Sequence, residues 1–235
     1  FLHIGASVGI TLFPGKGQTA EDLLKQADTA MYQAKSAGRR TVIFFDDAMQ
    51  RQADKRLQMH NALRGALANQ ELLLYFQPQH MVATGELVGA EALVRWQPEG
   101  KSLVSPTEFI PIAEKKGLMP LVDRYVIHSV CKQIRSWINL GKPIVPISIN
   151  LSARHLFEQT TIAYIFQKVG EFDIPHNFLE IEVTEYGLIK DYKKTAINMM
   201  RLEQAGIEVA IDDYGTGNAN LETVLSLPIK HLKID

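Results

Sequence analysis

Four apolar, β-branched segments separated by helix-length stretches constrain the fold of this chain more than any other feature. They are 145–151 (VPISINL), 178–184 (FLEIEVT), 208–213 (EVAIDD) and 231–235 (HLKID). Each carries polar groups toward its C-terminal end: Asn150, Glu182, Asp212 with Asp213, and Lys233. Strand and helix in alternation predict a parallel sheet with crossover helices. In a barrel of this kind the C-terminal strand ends converge on one face, where active sites form. Oxygen ligands gathered there suit hard divalent cations such as magnesium or manganese. An open doubly wound sheet has the same rhythm, but no glycine-rich phosphate loop follows the first strand, which argues against it.

The 235 residues are enough for one barrel-sized domain or two smaller ones, and 46% are apolar, so a packed core is expected. The formal net charge is −1, with no block of like charges. A DNA or RNA polymer is therefore a poor partner, because backbone binding needs a basic face. A small anionic ligand held by a few arginines, lysines and metals remains open. The lone cysteine, Cys131, falls in a helical pattern, rules out a disulfide within the chain and fits a reducing cytoplasm. Its bland reading is a small buried apolar residue. The chain opens inside a strand-like segment and stops on a strand without a closing helix, so both ends read as cuts through larger domains.

Residues 1–13 alternate like a strand, and 14–17 (PGKG) form a turn. Thr19 is placed to cap the next helix, with Asp22 as its capping-box partner. Leu23, Leu24, Ala27, Ala30, Met31 and Ala34 give that helix an apolar stripe. Gly38 stops it, and 41–45 is a strand; residues 1–46 read as the tail of an α/β domain. Residues 47–69 form one polar helix, read either as a connector or as a surface helix of a neighbour. A second domain spans 70–235. It starts with a hairpin of strands 72–76 and 87–96 around a turn at 83–86. Ser105 with Pro106 and Glu108 has the signature of a capped helix start. Further helices are expected at 121–140, 162–169, 192–205 and 221–225.

In the segment 89–96 (GAEALVRW), alternation puts Glu91, Leu93 and Arg95 on one face. An ionised Glu on an apolar strand is costly unless paired or metal-bound. Glu91 is therefore either a metal ligand or half of a Glu91–Arg95 ion pair. Gln77, before Pro78 on the neighbouring strand, points to the same site or satisfies backbone. Asp212 and Asp213 repel each other, which a divalent cation relieves; the pair also fits a turn with a helix cap. Lys233, near carboxylates, is suited to orienting or deprotonating a water. The seven histidines show no zinc-ligand spacing and read as structural or surface.

At these residues the chain resembles the EAL domain, a bacterial cyclic di-GMP phosphodiesterase. The matching stretches are Tyr75-Phe76-Gln77-Pro78, the run Glu91 to Trp96, Ser105-Pro106 with Phe109-Ile110-Pro111 and Ala113-Glu114, and Ile149-Asn150-Leu151-Ser152. Glu182-Val183-Thr184-Glu185, Asp212 to Gly217 and Leu232-Lys233-Ile234-Asp235 continue them. Order and spacing agree through residues 70–235. The N-terminal part resembles the end of a GGDEF (diguanylate cyclase) domain, on Ala6-Ser7-Val8-Gly9-Ile10, the run Ala27 to Lys35, and Gly38-Arg39.

The resemblance implies a TIM-like (β/α) barrel, C-terminally truncated here, behind an α/β GGDEF remnant and a linker helix. It implies metal-dependent hydrolysis of cyclic di-GMP to linear pGpG in bacterial signalling. The complete site would take two magnesium or manganese ions, with calcium as an inhibitor. Glu91, Asn150, Glu182 and Asp212 would hold one metal; Asp212 would bridge to a second, shared with Asp213. Lys233 would act on the attacking water, Gln77 and Arg95 would contact the ligand, and Glu185 would steady the loop after Asp213. Lys35 and Arg39 match positions that contact the phosphates of GTP. A homodimer through the EAL domain and a cytoplasmic location also follow, the latter including the cytoplasmic side of a membrane-anchored protein. Two departures stand out. The loop after the Asp pair reads Gly217-Asn218-Ala219-Asn220 where the family has Gly-Tyr-Ser-Ser. The family's later Glu and Gln do not occur before Asp235, so the piece alone is expected to be inactive. The rival reading is an EAL domain that binds cyclic di-GMP without cutting it; the barrel pattern alone also fits a magnesium-dependent lyase or isomerase.

Overall fold

The structure, a computed structural model, describes residues 5–13, 17–156, 158–184, 192–215, 224 and 226–234, with the backbone alone at 153, 154, 192 and 193. The first four residues of the strand expected at 1–13, residues 14–16 of the expected turn, the helix at 221–225 apart from its residue 224, Glu185, the loop 216–220 and Asp235 lie outside the described residues. The chain divides into two compact units, Phe1–Leu63 and Arg64–Asp235.

In the first unit, β1 (Val8–Ile10) and β2 (Val42–Phe44) pair in parallel, joined by α1 (Ala20–Ser36). The capping box at its start forms as its sequence predicts. The Thr19 hydroxyl accepts from the Asp22 amide at 3.1 Å, and the Asp22 carboxylate accepts from the Thr19 amide at 2.9 Å. The Thr19 amide and hydroxyl both donate to the Asp22 carboxylate, which stabilises its ionised form, so the Asp22 pKa falls. Ala30 and Ala34 are fully buried, but Leu24 is 69% exposed and leaves the predicted stripe. Close packing of strand on helix depends on Gly9: a Cβ there would collide with the Ala27 carbonyl oxygen and the Met31 backbone nitrogen. The polar helix α2 (Asp47–Ala66) follows, with the Asp46 carboxylate accepting from the Ala48 amide at 2.9 Å.

The second unit holds a six-stranded sheet in chain order: β3 (Leu72–His80), β4 (Leu87–Trp96), β5 (Ile147–Asn150), β6 (Leu179–Thr184), β7 (Glu208–Tyr214) and β8 (His231–Ile234). β3 and β4 form the expected antiparallel hairpin, and β4 through β8 run parallel. The helices are α3 (Pro106–Lys115), α4 (Met119–Asn139), α5 (Ala153–Leu156), α6 (Gln159–Glu171) and α7 (Tyr192–Gln204). Among the described residues β3 and β8 are the edges, and no pairing joins them. β3 runs past its expected end through Pro78, which an edge strand tolerates because no ladder bond needs the missing N–H. At α3 the capping box does not form: the Ser105 hydroxyl lies 2.8 Å from the Thr107 hydroxyl and makes no cap bond.

The sheet has two chemically distinct faces, as period-two alternation requires. Ile147, Ile149, Leu179, Ile181, Val183, Val209 and Ile211 are at most 1% exposed. The apolar stripes of the helices are buried likewise, through Ile127, Val130 and Ile134 of α4 and Ile162 and Ile165 of α6. Trp96 closes one end, edge-to-face with Phe109, its indole N–H donating to the Glu71 carboxylate at 3.0 Å. The opposite face carries Glu91, Ser148, Asn150, Glu180, Glu182, Asp212, His231 and Lys233. Among the described residues no helix is long and apolar enough to cross a membrane.

Candidate active site

Register builds the site. Gln77 lies directly opposite Glu91 across the hairpin, Glu91 beside Ser148, Asn150 beside Glu182, and Thr184 beside Asp212. Four of the predicted residues meet: the Asn150 side-chain amide donates to Glu91 Oε1 at 2.6 Å, the Lys233 ammonium lies 3.6 Å from Glu91 Oε2, and it touches Glu182 Oε1. Glu91 sits mid-strand rather than at a strand end.

Glu182 is the buried centre of this cluster, with no side-chain exposure. Burial raises its pKa, against the pull of the Lys233 contact. Burial alone would lower the Lys233 pKa, but the contact with Glu182 and the negative charges of Glu182, Glu91 and Asp212 outweigh it, so the ammonium stays charged. The Lys233 ammonium meets Oε1, while Oε2, also sealed from solvent, has no hydrogen bond of good geometry. A buried carboxylate oxygen left so is costly unless a cation meets it.

Asp212 reaches the cluster through its charge on Lys233. Asp213 is at φ 54°, next to a register shift between Ile211 and Tyr214, so the backbone turns at the Asp pair as the sequence suggested. Asn150 presents its amide nitrogen to Glu91, so ligation through Oδ1 requires the amide to rotate. Gln77 is exposed on the same face. Arg95 is not the ion-pair partner of Glu91. Four residues of strand separate the two by about 13 Å, and Arg95 instead lies over the Tyr75 ring at 5.6 Å and donates to the Val94 carbonyl. In the first unit Lys35 and Arg39 are exposed at the C-terminal end of α1, Arg39 at φ 64°.

Two polar groupings went unforeseen. Asp123 of α4 and His155 of α5 form a buried pair, at 4% and 7% exposure. Glu180, Glu208 and His231 meet near the amino-terminal ends of β6, β7 and β8. Their positions on three strands leave no local spacing to read; only strand register brings them together.

Residues 60–235 match the EAL domain family, and residues 2–41 match the GGDEF domain of diguanylate cyclases. The chain is 36% identical over 234 residues to the bifunctional diguanylate cyclase/cyclic di-GMP phosphodiesterase MucR of Pseudomonas aeruginosa, covering all of this chain and 34% of that protein. It is 35% identical over 234 residues to the cyclic di-GMP phosphodiesterase NbdA of the same species, covering all of this chain and 30% of that one. It thus spans about a third of these relatives. The solved structure of the PaMucR phosphodiesterase in complex with c-di-GMP superposes with a TM-score of 0.72 at 32% identity, over 76% of this chain and 72% of that one. With the family match covering most of its length and the mixed sheet in place, the chain belongs to the EAL domain family, with a short GGDEF segment ahead of it.

Proposed function

We propose that the protein carrying this chain hydrolyses cyclic di-GMP to linear pGpG in bacterial second-messenger signalling. The observation that carries this reading is the fully buried Glu182 carboxylate, held against the Lys233 ammonium at the centre of a cluster with Glu91 and Asn150. An all-oxygen donor set of Glu91, Asn150, Glu182 and Asp212, with Asp213 toward a second ion, fits magnesium or manganese, and calcium would compete as an inhibitor. Bound there, such ions supply Lewis-acid polarisation of the phosphodiester and activation of water.

The chain's own residues do the rest. Lys233, kept charged by its carboxylate neighbours, orients the water and offsets negative charge developing on the phosphoryl oxygens. Water adds to one phosphorus, one P–O ester bond breaks, and the departing oxygen takes a proton. Gln77 and Arg95, on the same face, contact the guanine or phosphate groups; Glu185 steadies the loop after Asp213. We assign residues 1–46 to a GGDEF domain, 47–69 to a connecting helix and 70–235 to the EAL domain. Lys35 and Arg39 would meet the phosphates of GTP in a complete GGDEF domain. The protein would act in the cytoplasm as a dimer through its EAL domain.

The test is made on the intact protein. With magnesium or manganese, Glu91→Ala abolishes hydrolysis of cyclic di-GMP, and Lys233→Ala lowers turnover far more than binding. Wild-type turnover in either variant removes that residue from its role. Tight binding of cyclic di-GMP by the wild type without turnover overturns the enzyme in favour of a receptor.

A further inference from the structure

We propose that Glu180, Glu208 and His231 form a separate divalent-cation site, of the kind that takes zinc, at the amino-terminal ends of β6, β7 and β8. Glu180 and Glu208 are direct partners in the parallel register, and His231 pairs with Ala210, two residues beyond Glu208. All three side chains therefore rise from one face of three adjacent strands. Their ligand atoms lie within 4.8 Å of one another: His231 Nε2 is 3.6 Å from Glu208 Oε2 and 3.9 Å from Glu180 Oε1.

Glu180 supplies the independent observation. It is 9% exposed, and its Oε1, sealed from solvent and facing His231, has no hydrogen-bond partner. A distance of 3.9 Å is too long for a hydrogen bond, so this acceptor is unsatisfied as the side chains stand. Like charges directly opposite on neighbouring strands are also destabilising. Lys230 meets Glu208 Oε1 at 3.2 Å from the solvent side and leaves Oε2 toward the histidine. A divalent cation would join both carboxylates and give Glu180 Oε1 its partner. One imidazole with two carboxylates favours zinc over magnesium, and three protein ligands leave a fourth position for water. Glu180 and Glu182 lie two residues apart, about 7 Å along the strand, so this site adjoins the Glu182 cluster without sharing a ligand. The ion would pin the amino ends of three strands whose other ends carry Glu182, Asp212 and Lys233.

The experiment titrates zinc alone into the intact, metal-stripped protein by calorimetry, with cobalt absorption as a spectroscopic reading of ligand type. A Glu91→Ala, Asp212→Asn background removes the proposed catalytic metal. In that background one zinc equivalent depends on His231 and Glu208. His231→Ala or Glu208→Gln weakens it by about a hundredfold or more, since even a residue behind a ligand is worth 10–100-fold. The visible cobalt band shifts when the imidazole is lost. Each variant is compared with its parent for metal-free urea midpoint, so whichever remains folded carries the reading. Unchanged zinc affinity and stoichiometry in the folded variant overturn the site. So does loss of that zinc equivalent on adding Glu182→Gln alone. Neither result bears on cyclic di-GMP turnover, which is measured separately.

Discussion

His155→Leu isolates a buried charge that the fold keeps paired. Asp123 is 4% exposed, and burial raises its pKa above the usual 3.8, opposed by the hydrogen bond and charge of His155. Leucine removes that opposition, so the folded-state pKa climbs further above the unfolded value. Between those two pKa values the folded protein holds a proton that the unfolded chain has lost, so stability falls as pH rises through that window. Breaking a buried pair by removing one partner costs about 3–5 kcal/mol, and here that cost is fully present at pH 8, where the folded state must hold the charge or take up a proton. Adding Asp123→Asn separates this charge from every other titrating group. The second substitution should restore about 3 kcal/mol at pH 8 and no more than about 1 kcal/mol at pH 4.5, where little work is needed to protonate the aspartate. Urea unfolding followed by tryptophan fluorescence reads this directly, because both tryptophans, Trp96 and Trp137, belong to the second unit. No rescue at pH 8, or equal rescue at both pH values, would refute the reasoning. The pair holds α5, which follows the Asn150 strand; the Asn198 amide donates to the Leu156 carbonyl at 2.7 Å and holds the same turn from α7.

Gly9→Ala should destabilise the first unit by about 1–3 kcal/mol or more, because the new methyl meets backbone atoms of α1 that cannot rotate away; an unchanged thermal midpoint for that unit contradicts the packing. Trp96→Phe should cost about 1–2 kcal/mol by stripping the Glu71 carboxylate of its indole donor and shrinking a buried side chain, measured by urea midpoint with circular dichroism. Burial pushes the Cys131 thiol up to about 12, so it should resist a thiol reagent at pH 8 in the native protein and react in urea; rapid native labelling would show the helix to be open.

The EAL domain was legible because its information is local. Strand patterns ending in Asn150, Glu182, Asp212 and Lys233 survive as a linear code, and alternation alone fixes which face each side chain takes. The Thr19 capping box was equally readable, since both partners lie within one helical turn. The same logic overreached at Ser105, where a competing hydroxyl two residues away takes the cap's place, and at Leu24, where the burial arc of α1 is narrower than its apolar stripe. Of the two readings left open for Glu91, the ion pair with Arg95 does not form, because sharing a face says nothing of reach: the two stand apart along the strand while Asn150 and Lys233 arrive from others. Sequence periodicity determined the elements, their faces and the candidate ligands. Only tertiary structure decided that Glu182 is sealed from water beside Lys233, that Asp123 finds His155, and that Glu180, Glu208 and His231 meet. Those groupings depend on strand register and helix docking, which bring together residues distant in the chain and remove the solvent that would otherwise screen their charges.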